Sequence, residues 1–129
     1  MAATLKLLLD ENIWPPLAVR LQAALPGAQI ESLHHFPGGC LLQQSDERIL
    51  IEAHRAGLTL VTFDLATIPL LLAEKVALGE EHGGVIFISS KSFAQNDPGG
   101  LLRAIVRWWP EWSAASWTNR VEFLRRRAS

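Results

Sequence analysis

The chain has 129 residues, of which 49% are apolar and 19% charged, and this composition is typical of a globular protein rather than a disordered one. The length suits a single domain, residues 1–129, and the apolar stretches are too short to cross a membrane. The single cysteine, Cys40, excludes an internal disulfide and a zinc site made of several cysteines. Because no signal peptide is recognisable, we expect a cytoplasmic protein that does not contact membranes.

The net charge is −1, but the charges are unevenly distributed. Residues 1–100 contain 6 Lys or Arg and 11 Asp or Glu, whereas residues 101–129 contain 6 Arg and 2 Glu. The basic C-terminal part also contains four of the five tryptophans. Arginines combined with aromatic side chains can bind a nucleic-acid backbone and stack on its bases. A tryptophan core with solvent-exposed arginines explains the same pattern without a ligand.

The N-terminal third of the chain predicts two strands separated by a helix. Residues 4–9 form an apolar strand, and the Pro15–Pro16 pair suits the first turn of a helix with leucines at helical spacing. That helix stops at Pro26–Gly27, and residues 28–33 alternate like a second strand. Residues 34–44 are rich in glycine and glutamine and predict a loop.

The middle of the chain predicts a second helix and a third strand. Ser45 suits the N-cap position, and Asp46 and Glu47 in the first turn interact favourably with the helix dipole. Gly57 ends this helix. Residues 58–63 then form an apolar strand that leads directly into an aspartate.

The last part of the chain predicts two more helices around a fourth strand. Residues 69–78 and 97–109 have helical patterns that begin at prolines, and residues 83–89 form a strand between them. Residues 114–126 have the pattern of a small β-hairpin.

This alternation of strands and helices predicts an α/β fold, a three-layer α/β/α sandwich with a four-stranded parallel sheet and a C-terminal β-hairpin. Short connections and nearly continuous apolar strands are typical of a parallel sheet covered by helices on both faces. All parallel strands end at the same edge of such a sheet, which we call the carboxyl edge, and ligands bind there.

Three aspartates converge at this edge by topology alone. Asp10 directly follows the first strand and Asp64 directly follows the third. Asp46 begins the helix that leads into the third strand, so it lies at the same edge and on the core-facing side of that helix. Glu11 and Asn12 add two more oxygen-bearing side chains.

Such a group of carboxylates predicts a site for a hard divalent cation. Unneutralised carboxylates repel each other, and Mg²⁺ or Mn²⁺ binds a few carboxylates together with water. The ion can then activate water and stabilise charge on a phosphate. A purely structural explanation is a turn residue at Asp10, a dipole-compatible residue at Asp46 and an N-cap at Asp64.

Four short segments resemble the PIN-like nucleases, specifically a compact bacterial branch of them. The segments are LLLDEN at 7–12, SDERIL at 45–50, LVTFD at 60–64 and GVIFI at 84–88. Together they cover roughly residues 4–109 in the order that the family has. The resemblance implies one PIN-like domain with strand order 3-2-1-4, and the predicted C-terminal hairpin also resembles that branch.

The resemblance implies a metal-dependent endoribonuclease, since PIN-like domains are typically ribonucleases and many are toxins of toxin–antitoxin pairs. Asp10, Asp46 and Asp64 fall on the family's acidic positions and would bind Mg²⁺ or Mn²⁺. The implied partners are an RNA substrate and an antitoxin protein, and a homodimer is a separate expectation that does not come from the resemblance. Ala66 stands where a further aspartate is common in the family. A PIN-like module that binds RNA or protein with little or no catalysis is the alternative.

The remaining site predictions concern the water and the RNA. Glu11 or Asn12 would orient a metal-bound water, and Glu11 or Glu47 would replace an acid that full-size members carry elsewhere. Arg103 and Arg107 are four residues apart on the last helix and would contact the RNA backbone, and Asn12 is a third predicted contact to the RNA.

Further predictions concern the surroundings of these arginines and the end of the chain. Leu101, Ile105, Trp108 and Trp112 form an apolar stripe on the other side of the last helix, which predicts core or dimer interface. Arg125, Arg126 and Arg127 form a terminal tail that we expect to be mobile.

A phospho-receiver domain is a second reading of the acidic residues. Asp10, Glu11 and Asp64 fit its acidic positions, and Ser89 or Ser90, together with Lys91, follows the fourth strand. That domain needs its hydroxyl and its lysine after two successive strands, whereas the sequence predicts only one further parallel strand. His34 and His35 follow the second strand, and one of them can approach the carboxyl edge.

Overall fold

The computed structural model of the chain describes residues 5–35, 42–94 and 96–126. The elements are β1 (Lys6–Leu9), α1 (Pro16–Ala24), β2 (Gln29–Ser32), a short 3-10 helix (Leu33–His35), α2 (Asp46–Arg55), β3 (Thr59–Thr62), α3 (Ile68–Ala77), β4 (Val85–Phe87), α4 (Pro98–Ser113) and β5 (Val121–Phe123). Most of the predicted glycine-rich loop, including Cys40, lies outside the described residues, as does Arg127.

The sheet has five parallel strands in the order β2-β1-β3-β4-β5. The predicted α/β class is confirmed. The prediction of four strands was wrong, because β5 adds a fifth parallel strand beside β4. The strand order 3-2-1-4, which only the resemblance implied, was also wrong, since β1 lies between β2 and β3.

The predicted C-terminal hairpin is replaced by a crossover connection. Helix α4 runs to Ser113, past Pro110, and carries the chain back along the whole sheet. The chain then turns at Trp117, whose Nε1 donates a hydrogen bond to the Trp112 carbonyl at 2.8 Å. As a result β5 starts at the same edge as β4 and runs parallel to it, with the Leu124 amide donating to the Phe87 carbonyl at 2.8 Å.

The helices cover both faces of the sheet, which gives the predicted three layers. Side chains alternate along β1, so Leu7 and Leu9 pack with α1 and α4, whereas Leu8 packs with α2 and α3. The first core contains tryptophans from α4 and the connection after it, and the second core is mainly aliphatic. Hydrophobic burial on both faces therefore fixes the strands whose ends carry the site.

Helix α4 has the amphipathic pattern that the sequence predicts. The stripe of Leu101, Ile105, Trp108 and Trp112 is buried, with exposed fractions of 7% or less, so these residues belong to the core. Asp97 caps the helix by accepting a hydrogen bond from the Gly100 amide at 3.1 Å. None of the helices in the described part of the chain is long and apolar enough to span a membrane.

Helix α2 begins and ends where the sequence predicts. Ser45 is the N-cap and accepts a hydrogen bond from the Arg48 amide at 3.2 Å. Gly57 follows the helix with a φ of +73°, a conformation that glycine adopts without strain. This placement puts the N-terminus of α2 at the carboxyl edge, next to the ends of β1 and β3.

The chain changes direction across the sheet between β1 and β3. From β1 it moves outwards to β2, and from β2 it crosses back to β3 on the other side of β1. In open parallel sheets such a switch point leaves a crevice at the carboxyl ends of the two strands, and ligands bind in that crevice. Asp10 follows β1 and Asp64 follows β3, so both lie at the switch point.

Candidate functional site

Asp10 is a buried carboxylate at the end of β1, with an exposed fraction of 7%. Its Oδ1 accepts a hydrogen bond from the Glu11 amide at 2.8 Å, and its Oδ2 accepts one from the Thr62 hydroxyl at 2.6 Å. The Asp10 amide donates to the Val61 carbonyl at 3.0 Å, which extends the pairing of β1 and β3 by one residue. Both oxygens of this carboxylate are therefore held in fixed positions.

Thr62 links the two aspartates that follow β1 and β3. Its hydroxyl donates to Asp10 and accepts a hydrogen bond from the Asp64 amide at 3.0 Å. The side chain is fully buried, with an exposed fraction of 0%. Because one hydroxyl fills both roles, the position of the Asp10 carboxylate depends on the backbone of Asp64.

Asp64 uses one oxygen to hold the backbone in front of α3. Its Oδ1 accepts hydrogen bonds from the amides of Ala66 and Thr67, both at 2.9 Å. This is the turn-forming role expected of an aspartate before a helix. The carboxyl group of Asp46 in α2 lies next to the Asp64 side chain, and the two can share a hydrogen bond only when one of them carries a proton.

Asp46 is the acidic residue at this site whose pKa is raised. Burial raises its pKa, and the negative charges of Asp64 and Asp10 raise it further. The hydrogen bond to Asp64 and the charge of Glu11 act in the same direction. We call Asp10, Glu11, Asp46 and Asp64 the carboxylate cluster. The predicted convergence of the three aspartates is thus present in the structure.

The residues beside Asp10 differ in their exposure and contacts. Glu11 and Asn12 are exposed, and Asn12 makes no side-chain hydrogen bond within the described residues. The Glu11 carbonyl accepts a hydrogen bond from Nε2 of His34 at 2.8 Å, so the imidazole after β2 anchors this loop. Glu47 is exposed and is not among the charges that raise the pKa of Asp46.

The donor set of the cluster suits a hard cation, but not a site enclosed by protein ligands. Within residues 5–35, 42–94 and 96–126, no three His, Cys, Asp or Glu side chains are arranged to hold one metal ion. Asp10 already accepts two hydrogen bonds, and Asp64 uses Oδ1 for two more. Mg²⁺ often binds through one or two carboxylates, with water and substrate phosphate as its other ligands. Asp46 and Oδ2 of Asp64 fit that mode of binding.

The chain matches no protein-family model, no curated protein and no solved structure. The assignment to the PIN-like nucleases is therefore a proposal, and its basis is four short segments together with the geometry of the cluster.

The predicted RNA-binding arginines do not form part of the cluster. Arg103 and Arg107 are exposed on α4, as the helical spacing predicts. Arg125 and Arg126, which we expected to be mobile, lie over aromatic rings instead. The Arg125 guanidinium is 4.6 Å from the centre of the Trp108 ring, and that of Arg126 is 4.8 Å from the centre of the Phe93 ring. These contacts attach the segment after β5, as far as Arg126, to the domain.

Sequence reasoning missed the role of Thr62 and gave His34 no firm role. A signal for Thr62 was present, because a polar residue at the end of an otherwise apolar buried strand needs a hydrogen-bond partner. The partner of His34 could not be predicted, since it is a backbone carbonyl 23 residues away in sequence.

Proposed function

We propose that the chain is a metal-dependent endoribonuclease that hydrolyses RNA phosphodiester bonds at the carboxylate cluster. The observation that carries the proposal is the convergence of Asp10, Asp46 and Asp64 at the switch point of the sheet, where burial and the neighbouring charges raise the pKa of Asp46. Such repulsion opposes folding and is relieved by a proton or a cation. Perturbed carboxyl groups at the switch point of a parallel sheet are typical of a functional site.

The side chains of the carboxylate cluster have separate roles in the proposed hydrolysis. A bound Mg²⁺ or Mn²⁺ ion would activate water and stabilise the charge on the attacked phosphate. Asp46 and Oδ2 of Asp64 would hold the ion. Asp10, fixed by Thr62, would add negative charge and orient water in its shell. Glu11 and Asn12 are exposed next to Asp10 in sequence, and one of them would orient the same water by a hydrogen bond.

The cluster also makes RNA binding dependent on the cation. Without a metal ion, the negative charges of Asp10, Asp46 and Asp64 repel the phosphates of RNA. A divalent ion reverses the sign of the local charge. RNA affinity should therefore rise when Mg²⁺ or Mn²⁺ is added, beyond the effect of an equal ionic strength of NaCl.

The decisive experiment measures cleavage of mixed-sequence RNA with Mn²⁺, with Mg²⁺ and with EDTA. Asp46→Asn and Asp64→Asn should each lower the rate by about 100-fold, since the cluster is the proposed source of charge stabilisation. Glu47→Gln is the matched control, because it removes an exposed carboxylate from the same turn of α2 without touching the cluster. Its rate should stay within about 2-fold of wild type.

The outcomes separate the nuclease from a binding module. Metal-dependent cleavage that disappears in Asp64→Asn but persists in Glu47→Gln supports the proposal. Equal cleavage by wild type and both Asn variants would show contamination or a different site. RNA that is bound but never cut, with Mn²⁺ present, would favour the catalytically inactive module.

A phospho-acceptor role is the second candidate, and the strand order is what favours it. β4 and β5 both follow β3, so Ser89 and Arg125 follow successive strands at the carboxyl edge. The prediction of a single further strand, which had argued against this role, was therefore wrong. Against it, Oδ1 of Asp64 accepts two backbone hydrogen bonds, and arginine stands where that role uses lysine. Labelling by acetyl phosphate that is lost in Asp64→Asn would support it over the nuclease.

We extend the proposal to a toxin-type nuclease with an antitoxin partner, on the resemblance alone. If RNA cleavage in cells is toxic, induction of the wild-type chain should arrest growth, and induction of Asp64→Asn should not. Equal growth arrest by both variants would argue against a toxic nuclease activity. Copurification of a second, specific chain with both variants would identify the antitoxin. Measurement of the mass of the purified chain in solution tests the homodimer.

A further inference from the structure

Trp14 is an exposed tryptophan in the loop that carries Asp10 and Glu11. Its exposed fraction is 39%, whereas those of Trp108, Trp112 and Trp117 are 7% or less. The sequence singles out only the C-terminal tryptophans, and those prove to be core residues apart from partly exposed Trp109. Among the five tryptophans, the one most exposed to a ligand therefore lies near the N-terminus, in the loop that follows Asp10 of the carboxylate cluster.

The backbone fixes Trp14 relative to the cluster. The Ile13 amide donates to the Asp10 carbonyl at 3.0 Å, which closes a turn, and the Ile13 side chain is buried. The Leu17 amide then donates to the Trp14 carbonyl at 3.0 Å. A closed turn brings its first and last Cα atoms within about 7 Å, so Trp14 starts within about 11 Å of Asp10. The position is set by hydrogen bonds and burial rather than by a free loop.

Arg20 supports one side of the Trp14 ring. Its guanidinium lies 5.1 Å from the ring centre, and it forms no ion pair among residues 5–35, 42–94 and 96–126. A cation on one face leaves the rest of the exposed indole for another planar group. The unpaired positive charge also favours a ligand that carries phosphate.

We propose that Trp14, supported by Arg20, is a stacking platform for an unpaired RNA base next to the phosphate that a metal ion at the carboxylate cluster would bind. This inference rests on the proposed nuclease function and names the class of substrate. A base can stack on an indole only when it is not already stacked inside a duplex. The substrate is therefore single-stranded RNA or an RNA loop, and the choice among bases is broad because each has a planar face.

The test uses RNA binding and tryptophan fluorescence, measured with Mg²⁺ in an Asp10→Asn background, which keeps both proposed ligands of the ion but loses the group that would orient its water. The probes are a mixed-sequence single-stranded oligoribonucleotide and its duplex. Trp14→Ala should weaken single-strand binding by about 5- to 100-fold, the range that one stacked base contributes, and should change duplex binding by less than 2-fold. Trp14→Phe should restore most of the affinity because it keeps a ring.

Fluorescence provides a readout that a structural role of Trp14 would not give. Single-stranded RNA should quench the wild-type emission, and the quenching should be lost in Trp14→Phe, which retains the other four tryptophans. Val19→Ala is the matched control, since it removes another exposed apolar side chain, 70% exposed, from the neighbouring helix. It should change neither affinity nor quenching.

Different results would overturn the role of Trp14 and the nuclease activity. Wild-type-like single-strand affinity in Trp14→Ala, or equal quenching in Trp14→Phe, overturns the platform even if metal-dependent cleavage is found. Trp14-dependent binding without any cleavage supports the platform and overturns the nuclease. A chain that binds no RNA, with Trp14 covered by a copurifying protein, overturns both.

Discussion

At both edges of the sheet, ionisable groups that would carry the same charge lie close together, but the two edges avoid the repulsion in different ways. At the carboxyl edge, Asp10, Asp46 and Asp64 bring like negative charges together. At the opposite edge, which we call the amino edge, burial lowers the pKa of His82, and the neighbouring basic groups of His54 and Lys75 lower it further. His82 avoids the repulsion because an imidazole can stay neutral at pH 7. At that pH, repulsion among neighbouring carboxyl groups is relieved only by a proton or a cation. We therefore expect a ligand at the carboxyl edge rather than at the amino edge.

The two edges also differ in how completely hydrogen bonds pair their polar groups. At the amino edge, the His82 amide donates to the Asn119 side chain at 3.0 Å and its carbonyl accepts from the Asn119 amide at 2.9 Å. The buried Thr59 hydroxyl donates to the Gly83 carbonyl at 2.8 Å. These contacts lock the connection to β5 against the start of β4. Buried polar groups of this kind stabilise the fold, whereas the carboxyl edge keeps an excess of charge.

The largest effect should come from Gly84 at the amino edge. Its φ is +94°, and a β-carbon would lie 2.5 Å from the Trp117 carbonyl oxygen. Gly84→Ala should lower the free energy of unfolding by about 3 kcal/mol, because strain and a backbone clash add. Thermal unfolding measures the loss.

Gly79→Ala is the control for Gly84. Its φ is +75°, but no atom lies within 4 Å of the added β-carbon, so only the backbone strain remains. The expected cost is about 1 kcal/mol. Equal losses in both variants would show that the close approach to Trp117 contributes nothing.

The second effect compares two buried threonines, one at each edge. Thr62→Val removes a donor from Asp10 and an acceptor from the Asp64 amide. It should cost about 2 kcal/mol of stability and lower Mn²⁺ affinity by about 10- to 100-fold. Calorimetric Mn²⁺ titration measures the affinity.

Thr59→Val is the matched change at the amino edge. It leaves one carbonyl without its donor, costs about 1 kcal/mol and should leave Mn²⁺ affinity unchanged. Thr62→Ser should recover most of the wild-type affinity, since it keeps the hydroxyl. A similar loss of affinity in the two Val variants would indicate general destabilisation instead of control of Asp10 by Thr62.

The sequence alone was sufficient for the parts of the fold that depend on local pattern. Apolar runs gave the first four strands, and Ser45 and Gly57 marked the ends of α2. Convergence of Asp10, Asp46 and Asp64 followed from parallel topology, because every strand end lies at one edge. Placement at one edge needs no knowledge of which strands are neighbours, whereas the contacts of Thr62 with Asp10 and Asp64 depend on the pairing of β1 with β3.

The parts that failed depend on long-range pairing. β5 has only three residues, and Val121 and Phe123 are exposed, so its local pattern does not distinguish a parallel edge strand from half of a hairpin. The strand order is likewise absent from the alternation of elements. The role of Thr62 depends on the register of β1 and β3, in which Leu9 pairs with Val61 and the next residues are Asp10 and Thr62.

The third effect is a gain in stability at the carboxyl edge. Asp46→Asn removes the carboxyl group whose pKa burial and the charges of Asp64 and Asp10 raise. At pH 7 without metal, the melting temperature should rise by about 2–4 °C, roughly 0.5–1 kcal/mol. Glu47→Gln, which alters the same helix turn, should give no rise. A fall in both variants would show that the favourable dipole interaction outweighs the repulsion at Asp46.

The pH dependence of that gain has a defined sign. The folded pKa of Asp46 lies above the unfolded value of 3.8, so the folded protein binds more protons in the window just above it. Wild-type stability contributed by this group therefore falls as pH rises through the window. The advantage of Asp46→Asn should shrink as pH is lowered towards 4, and an advantage that grows at acidic pH would contradict the raised pKa.

The smallest effect is the opposite pH dependence at the amino edge. Burial and the charges of His54 and Lys75 lower the pKa of His82, whose Nδ1 accepts a hydrogen bond from the Gly84 amide at 3.0 Å. Below the unfolded pKa of 6.5 the unfolded chain takes up a proton that the folded imidazole does not, so stability falls as pH decreases. The urea midpoint of wild type should be lower at pH 5.5 than at pH 7.5, and His82→Gln should reduce that difference. His35→Gln, which removes an exposed imidazole, should retain it. If His82→Gln and wild type show the same pH dependence, the neutral imidazole does not explain how the amino edge avoids its charge repulsion, and the contrast between the two edges fails.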